Sequence, residues 1–282
     1  MKKLGLIAGG GQLPVRIAEF CTNAGRPFFV VRLKGFADED MKRFEGKDVG
    51  LAEFGHAVAA LKGAGCEAVC FAGKVDRPDF AKLVPDLKGM TLLPGAVAAA
   101  RQGDDALLRF LLEQFEKEGF SGEGTDEVIA DLTLQPGALG AHKPDARGHA
   151  DLYKAMYVAR ASGQLDIGQG AVVADGLVLA VEAAEGTDAM LERVAALPEA
   201  LRGSAEARRG VLAKVPKPIQ DRRLDLPAMG VRTVERAAAA GLAGIVGEAG
   251  GLIVIDREAV IEAADRLGLF VWGADSSAPR PE

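Results

Sequence analysis

The chain opens on a short apolar run, Leu4–Ala8, that stops at Gly9-Gly10-Gly11; from Leu13 to Ala24 apolar positions then recur at helical spacing until Gly25. A short apolar run closed by glycines predicts a buried strand entering a tight turn, and recurrence every three to four residues predicts a helix with one face on a core. The same alternation continues. Strands are expected at Phe28–Leu33, Val49–Phe54, Ala68–Ala72 and Glu127–Ala130, with helices at His56–Gly65 and Asp104–Gly119. The last helix carries a wide apolar stripe from Leu107 to Phe115. Strands alternating with helices predict a Rossmann-like parallel sheet with helices on both faces.

The pattern breaks at 134–149, where Pro136, Gly137, Gly140, Pro144 and Gly148 read as a linker. A second unit follows. A helix is expected at Ala150–Ala161, then two strands, Ala171–Ala174 and Gly176–Glu182, about an Asp175-Gly176 hairpin turn. Further helices at Thr187–Leu197, Thr233–Ala240 and Glu258–Leu267 alternate with strands at Val211–Val215, Gly244–Val246, Leu252–Asp256 and Leu269–Trp272. The expected architecture is therefore α/β in two domains: 1–133 Rossmann-like, 134–149 linker, and 150–282 a mixed α/β domain that carries the catalysis.

Composition narrows the function. A net charge of -6 over 282 residues gives no general affinity for nucleic acid, so a bound anion must meet local amides and cations. The three cysteines, Cys21, Cys66 and Cys70, form no disulfide framework. Met1-Lys2-Lys3 starts like a secretion signal, but the apolar run ends too soon at Gly9. No stretch approaches the roughly 18 apolar residues of a membrane span. A cytoplasmic enzyme is expected.

Four segments can carry chemistry. Gly9-Gly10-Gly11-Gln12-Leu13-Pro14 is a glycine turn into a helix, either a phosphate or sugar site at Gly10, Gly11 and Gln12 or simply a tight turn. It lacks the third glycine of a dinucleotide fingerprint, and Arg32 and Lys34 stand where a ribose-binding acid belongs, which argues against an oxidoreductase. Lys74 follows a predicted strand at its ligand-binding end. Glu182, Glu185 and Asp188 gather at another strand end, where Thr187 or Asp188 can cap a helix and the carboxylates suit Mg²⁺. The densest segment runs from Lys214 to Pro227, with Lys217, Gln220, Asp221, Arg222, Arg223 and Asp225 among three prolines. Its cations can hold phosphate oxygens while a carboxylate holds metal or orients water. His142, Asp145, His149 and Asp151 lack the spacing of a zinc site and read as solvated linker.

Five motifs in order, Gly9–Pro14, Asp166-Ile167-Gly168-Gln169, Val178–Glu182 with Glu185–Asp188, Lys217–Asp221 with Asp225-Leu226-Pro227, and Glu248-Ala249-Gly250, span nearly the whole chain. Together they closely resemble the LpxI-type UDP-2,3-diacylglucosamine pyrophosphatases. The resemblance implies Mg²⁺-dependent hydrolysis of UDP-2,3-diacylglucosamine to lipid X and UMP in lipid A biosynthesis. It places the essential aspartate at Asp225. Substrate-binding candidates are Gly10, Gly11, Gln12, Lys74, Gln169, Thr187, Asp188, Lys214, Lys217 and Gln220, and metal candidates are Asp225, Asp221 and Asp188. Peripheral contact with the inner membrane and a homodimer are further expectations. With three histidines the chain does not build the usual dimetal phosphoesterase centre. The competing reading is a non-catalytic nucleotide-sugar-binding protein.

Overall fold

Every residue of β1 (Leu4–Ala8) is buried, as an apolar strand covered on both faces requires. In the computed structural model, which describes residues 1–219, 223–224 and 226–275, β1 lies in the middle of a five-stranded parallel sheet. Its companions are β2 (Phe28–Leu33), β3 (Gly46–Val49), β4 (Ala68–Ala72) and β5 (Ser121–Gly122), in the order β3-β2-β1-β4-β5. The helices of this unit are α1 (Gln12–Asn23), α2 (Phe54–Gly63), α3 (Leu87–Ala100), α4 (Asp104–Lys117) and the short α5 (Thr125–Val128). The unit comprises residues 1–129 together with Arg223 and Leu224. Ile7, Val31 and Val69 pack against Val58 and Leu61 of α2 and Leu112 and Phe115 of α4, and buried Leu224 completes this cluster.

Two expectations are corrected here, and one helix was not foreseen. The strand expected at Val49–Phe54 ends at Val49, and Phe54 instead opens α2 and packs on Phe115 with ring centroids 4.7 Å apart. The Lys47 and Asp48 side chains of this edge strand concealed its apolar period. The strand expected at Glu127–Ala130 is replaced by α5, whose Glu127 carboxylate accepts from the Gly124 amide. Helix α3 escaped the pattern because Gly89, Pro94 and Gly95 read as breakers. Gly89 is there for contact: a Cβ would stand 1.9 Å from the Ala52 carbonyl oxygen.

The second unit holds residues 130–219 and 226–275. Its strands are β6 (Gly137–Leu139), β7 (Gly170–Ala174), β8 (Leu177–Val181), β9 (Val211–Lys214), β10 (Ala228–Met229), β11 (Gly244–Glu248), β12 (Ile253–Val254) and β13 (Phe270–Ala274). Its helices are α6 (Ala146–Gln164), α7 (Gly186–Ala195), α8 (Glu199–Arg202), α9 (Val231–Ala239) and α10 (Arg257–Leu267). Six strands form one sheet, β6-β13-β11-β9-β7-β8, in which β13, β11 and β9 are parallel and the rest join antiparallel; β10 and β12 pair separately. Alternation along β7 separates two cores. Val172 faces the cluster built with α7, α9 and α10, while Ala171 and Val173 face α6.

The hairpin forms as expected. Asp175 (φ 47°) and Gly176 (φ 77°) both take left-handed backbone, the requirement of a type I′ turn. The Asp151 carboxylate accepts both their amides, at 2.9 and 2.8 Å. The stretch read as linker carries structure of its own: β6 pairs with β13, and the Asp145 carboxylate caps α6 by accepting from the Gly148 amide at 2.8 Å. Asp151, which is buried, and Asp145, which is exposed, therefore hold backbone turns.

Candidate functional site

The order of the first sheet reverses between β1 and β4, and such a switch point is where an open α/β sheet receives ligands at its carboxyl ends. Gly10 and Lys74, each two residues beyond its strand end, exchange amide hydrogen bonds of 2.9 and 2.8 Å. Gly10 must be glycine, since a Cβ there would meet the Phe36 carbonyl oxygen at 2.8 Å. The structure thus brings Gly10, Gly11, Gln12 and Lys74 together, with the side chains of Gln12 and Lys74 exposed. One partner was not foreseen. The Gly11 amide donates to Oδ2 of Asp38 at 2.8 Å, so a carboxylate already occupies the place where a phosphate oxygen would bind. Lys74 pairs with Asp76 at 2.8 Å.

The second unit concentrates buried charge at one end of its sheet, where β9, β11 and β13 present their carboxyl ends. Gly170 lies opposite Lys214, Gly247 lies on Lys214's other side, and Glu182 donates its amide to the Gly170 carbonyl. Directly paired residues share a face, so Glu182, Gly170 and Lys214 form one row across β8, β7 and β9. Glycine in the middle of the row leaves space for the Glu182 carboxylate, because a Cβ at Gly170 would stand 2.3 Å from Glu182 Oε2. Thr187 donates its hydroxyl to Glu182 Oε1 at 3.0 Å. Glu182 Oε2 is buried without a hydrogen-bond partner among the described residues. Buried Lys214 donates to the Ala228 carbonyl at 2.7 Å.

Beside this row, buried Glu248 at the end of β11 is met by Arg160 of α6 at 3.1 Å. Lys217 is held by Asp166 at 2.6 Å. Gln169 anchors the same loop through its carbonyl, which accepts from the Val215 amide at 3.0 Å. Buried charges of both signs at strand ends are costly to fold and mark a site for charged ligands. Gln169, Thr187, Lys214 and Lys217 gather here.

Asp188 is different. Its carboxylate pairs with Arg232 at 2.9 Å and Arg236 at 3.4 Å, and neither it nor Thr187 caps α7. In this structure Asp188 is therefore an ion-pair partner of α9. Gln220, Asp221 and Asp225 lie outside the described residues. Among the described residues no three His, Cys, Asp or Glu side chains group to hold a metal ion. The described residues do not by themselves fit Mg²⁺.

Sequence reasoning missed Asp38 and Arg160. Nothing in the sequence connects Asp38 to Gly11 or Arg160 to Glu248, because each pair meets only through the fold.

Residues 3–132 match the family model of the LpxI N-terminal domain, and residues 135–272 match that of the LpxI C-terminal domain. The chain belongs to the LpxI family. A curated LpxI relative, the UDP-2,3-diacylglucosamine pyrophosphatase LpxI of Caulobacter vibrioides (strain ATCC 19089 / CIP 103742 / CB 15), is 63% identical over 275 residues, covering 98% of each chain. The five motifs read from the sequence all lie within the matched residues. Three of them, Asp166–Gln169, Val178–Asp188 and Glu248–Gly250, converge on the Glu182–Lys214 row or its immediate border.

Proposed function

We propose that this chain is a hydrolase that cleaves the pyrophosphate of UDP-2,3-diacylglucosamine in lipid A biosynthesis. The observation that carries this reading is identity of 63% along 98% of the chain to a pyrophosphatase of that name. Hydrolysis adds water across one P–O–P linkage and yields UMP and 2,3-diacylglucosamine 1-phosphate (lipid X). The substrate's phosphates carry two negative charges, and breaking the linkage concentrates charge on the leaving phosphate. Lys214 and Lys217 supply cations at one strand end, each held by a specific oxygen. Fixed charges of this kind stabilise developing charge without reorganising. Asp225 is proposed to orient the attacking water or hold metal. Mg²⁺ is the proposed cofactor, with Asp221 and Asp225 as its candidate ligands.

No helix among the described residues is long and apolar enough to cross a membrane, so contact with a diacylated substrate must come from a surface. The apolar stripe of α4 is largely used by the core, where Leu112 and Phe115 are buried. Val84 and Leu87, 82% and 81% exposed, and nearby Met90 offer an apolar surface instead, which supports peripheral contact with the cytoplasmic side of the inner membrane.

The test is purified protein incubated with UDP-2,3-diacylglucosamine and Mg²⁺. UMP and lipid X are expected, with loss of both on chelation. Release of UDP would sink the reading, and binding without turnover would favour a non-catalytic nucleotide-sugar-binding protein.

A further inference from the structure

Among the described residues of the second unit, the buried carboxylates are Asp151, Glu182 and Glu248. Asp151 accepts two backbone amides, and Glu248 meets Arg160. Glu182, 6% exposed, holds the Thr187 hydroxyl on Oε1, while Oε2 has no hydrogen-bond partner among the described residues. A carboxylate oxygen that gives up water and gains no donor is costly to fold. Where the neighbouring buried carboxylates are matched, an unmatched oxygen points to a donor that arrives from outside the chain.

The surroundings are shaped to this side chain. A Cβ at Gly170 would stand 2.3 Å from Oε2, and one at Gly168 would stand 2.1 Å from the Glu182 carbonyl oxygen. Two glycines thus clear the backbone on which Glu182 lies. Thr187 fixes Oε1, so Oε2 cannot turn away without breaking that bond. The carboxylate is also shallow: Ala183, Ala184 and Glu185, which follow it, are exposed, and Gln169 between the two glycines is part-exposed. A group entering at this strand end meets Oε2 one residue beneath the surface, on the face that Lys214 shares.

The chemistry of the oxygen selects what enters. An ionised carboxylate only accepts hydrogen bonds, and it repels phosphate. An ionised pyrophosphate offers no donor. The neutral parts of a nucleotide-sugar do: ribose and hexose carry hydroxyls, and a hydroxyl on a carboxylate makes a short, charge-assisted bond. A uracil N–H fits less well, because the carbonyl oxygens on either side of it crowd the carboxylate. Resting on the reading of this chain as an enzyme of a nucleotide-sugar, we propose that Glu182 is a specificity-determining residue whose Oε2 accepts a hydroxyl of the substrate, with Thr187 orienting the carboxylate. The row then has two ends with different tasks. Lys214 and Lys217 take the anionic part of the substrate, and Glu182 reads the sugar attached to it. A ligand without that hydroxyl leaves Oε2 unpaired and is rejected.

The experiment is calorimetric binding to the full chain of UMP and its 2′- and 3′-deoxy analogues, and of glucosamine 1-phosphate and its deoxy analogues. The first set reads a ribose hydroxyl and the second a hexose hydroxyl. Wild type should prefer the ligand with the recognised hydroxyl by about tenfold or more, the size of a hydrogen bond to a charged group. Glu182→Ala should abolish that preference. Glu182→Gln, which keeps the volume and an acceptor for Thr187, should retain only part of it. Removing an unmatched buried carboxylate relieves its desolvation, so the melting temperature of Glu182→Ala should not fall. The proposal is overturned if wild type prefers no ligand over its deoxy analogue, or if the preference survives Glu182→Ala. It is overturned as well if Glu182→Ala lowers kcat with every affinity intact, which would give Oε2 to the attacking water, or if it lowers Mg²⁺ affinity instead. Failure of the wild type to release UMP from UDP-2,3-diacylglucosamine is a separate result: it removes the pyrophosphatase reading, while the deoxy analogues still decide the role of Glu182.

Discussion

The ammonium of Lys217 stands 2.6 Å from Oδ1 of Asp166, whose own backbone is left-handed at φ 56°. Two departures from the ordinary meet here: a residue type tolerated in that conformation, and a lysine fixed at the mouth of a buried charge row. Asp166→Gly keeps the backbone relaxed and removes the partner of Lys217. It should leave the melting temperature within a few degrees of wild type and weaken substrate binding about tenfold, the size of one charge-assisted hydrogen bond. Calorimetric affinity for UMP, measured beside the melting temperature, checks this. Unchanged affinity would make the pair purely structural.

Gly170→Ala places a methyl group against Glu182 Oε2. Because Thr187 fixes the other carboxylate oxygen, the side chain has little freedom to retreat, and destabilisation of about 1–3 kcal/mol is expected. In a Glu182→Ala background the same substitution should cost much less. Urea denaturation of the four proteins measures the coupling. Additive costs would show that the two residues do not meet.

Much of this arrangement was legible in the sequence. The alternation of apolar runs gives the central strands of both sheets, and Asp175-Gly176 gives the hairpin, because each is a local consequence of backbone chemistry. Gly168 and Gly170 stand in or beside a motif, yet their reason is visible only in three dimensions, where the end of β8 presses on them. Short strands such as β5, β6 and β10 carry too few residues for a period to appear. The ion pairs of Asp188 escaped for a related cause: Arg232 and Arg236 of α9 reach it only through the fold.

Asp225→Ala should lower turnover by on the order of a hundredfold or more, the scale of a positioned acid–base group. Melting temperature and affinity for UMP should stay near those of the wild type. Near-normal turnover would remove Asp225 from the reaction, and lost stability with retained specific activity would make it a structural residue.

Burial pushes the Cys70 thiol up to about 12 from an ordinary 9. Below pH 9 the thiol is protonated in the folded and unfolded chains alike and adds no pH dependence. Between 9 and 12 the unfolded chain ionises while the folded one does not, so stability falls as pH rises through that window. Cys70→Ala should flatten this part of the denaturation profile. In the native protein at neutral pH, Cys70 should also resist alkylation until the chain unfolds, and rapid native-state labelling of Cys70 followed by mass spectrometry would contradict its burial.

Leu224 belongs to the core around Ile7, Val31 and Phe115, although the chain on both sides of its short segment, through Lys217 and from Leu226 onward, belongs to the other unit. A gene cut after residue 129 would therefore encode a first half lacking one of its own core side chains, and the remaining half would display a leucine with no home. Separate expression should yield poorly folding pieces, whereas co-expression could restore both. The family's two domains, matched by two separate models, are in this respect a single inheritable piece: neither can be exchanged for a homologue's without carrying along the few residues around Leu224.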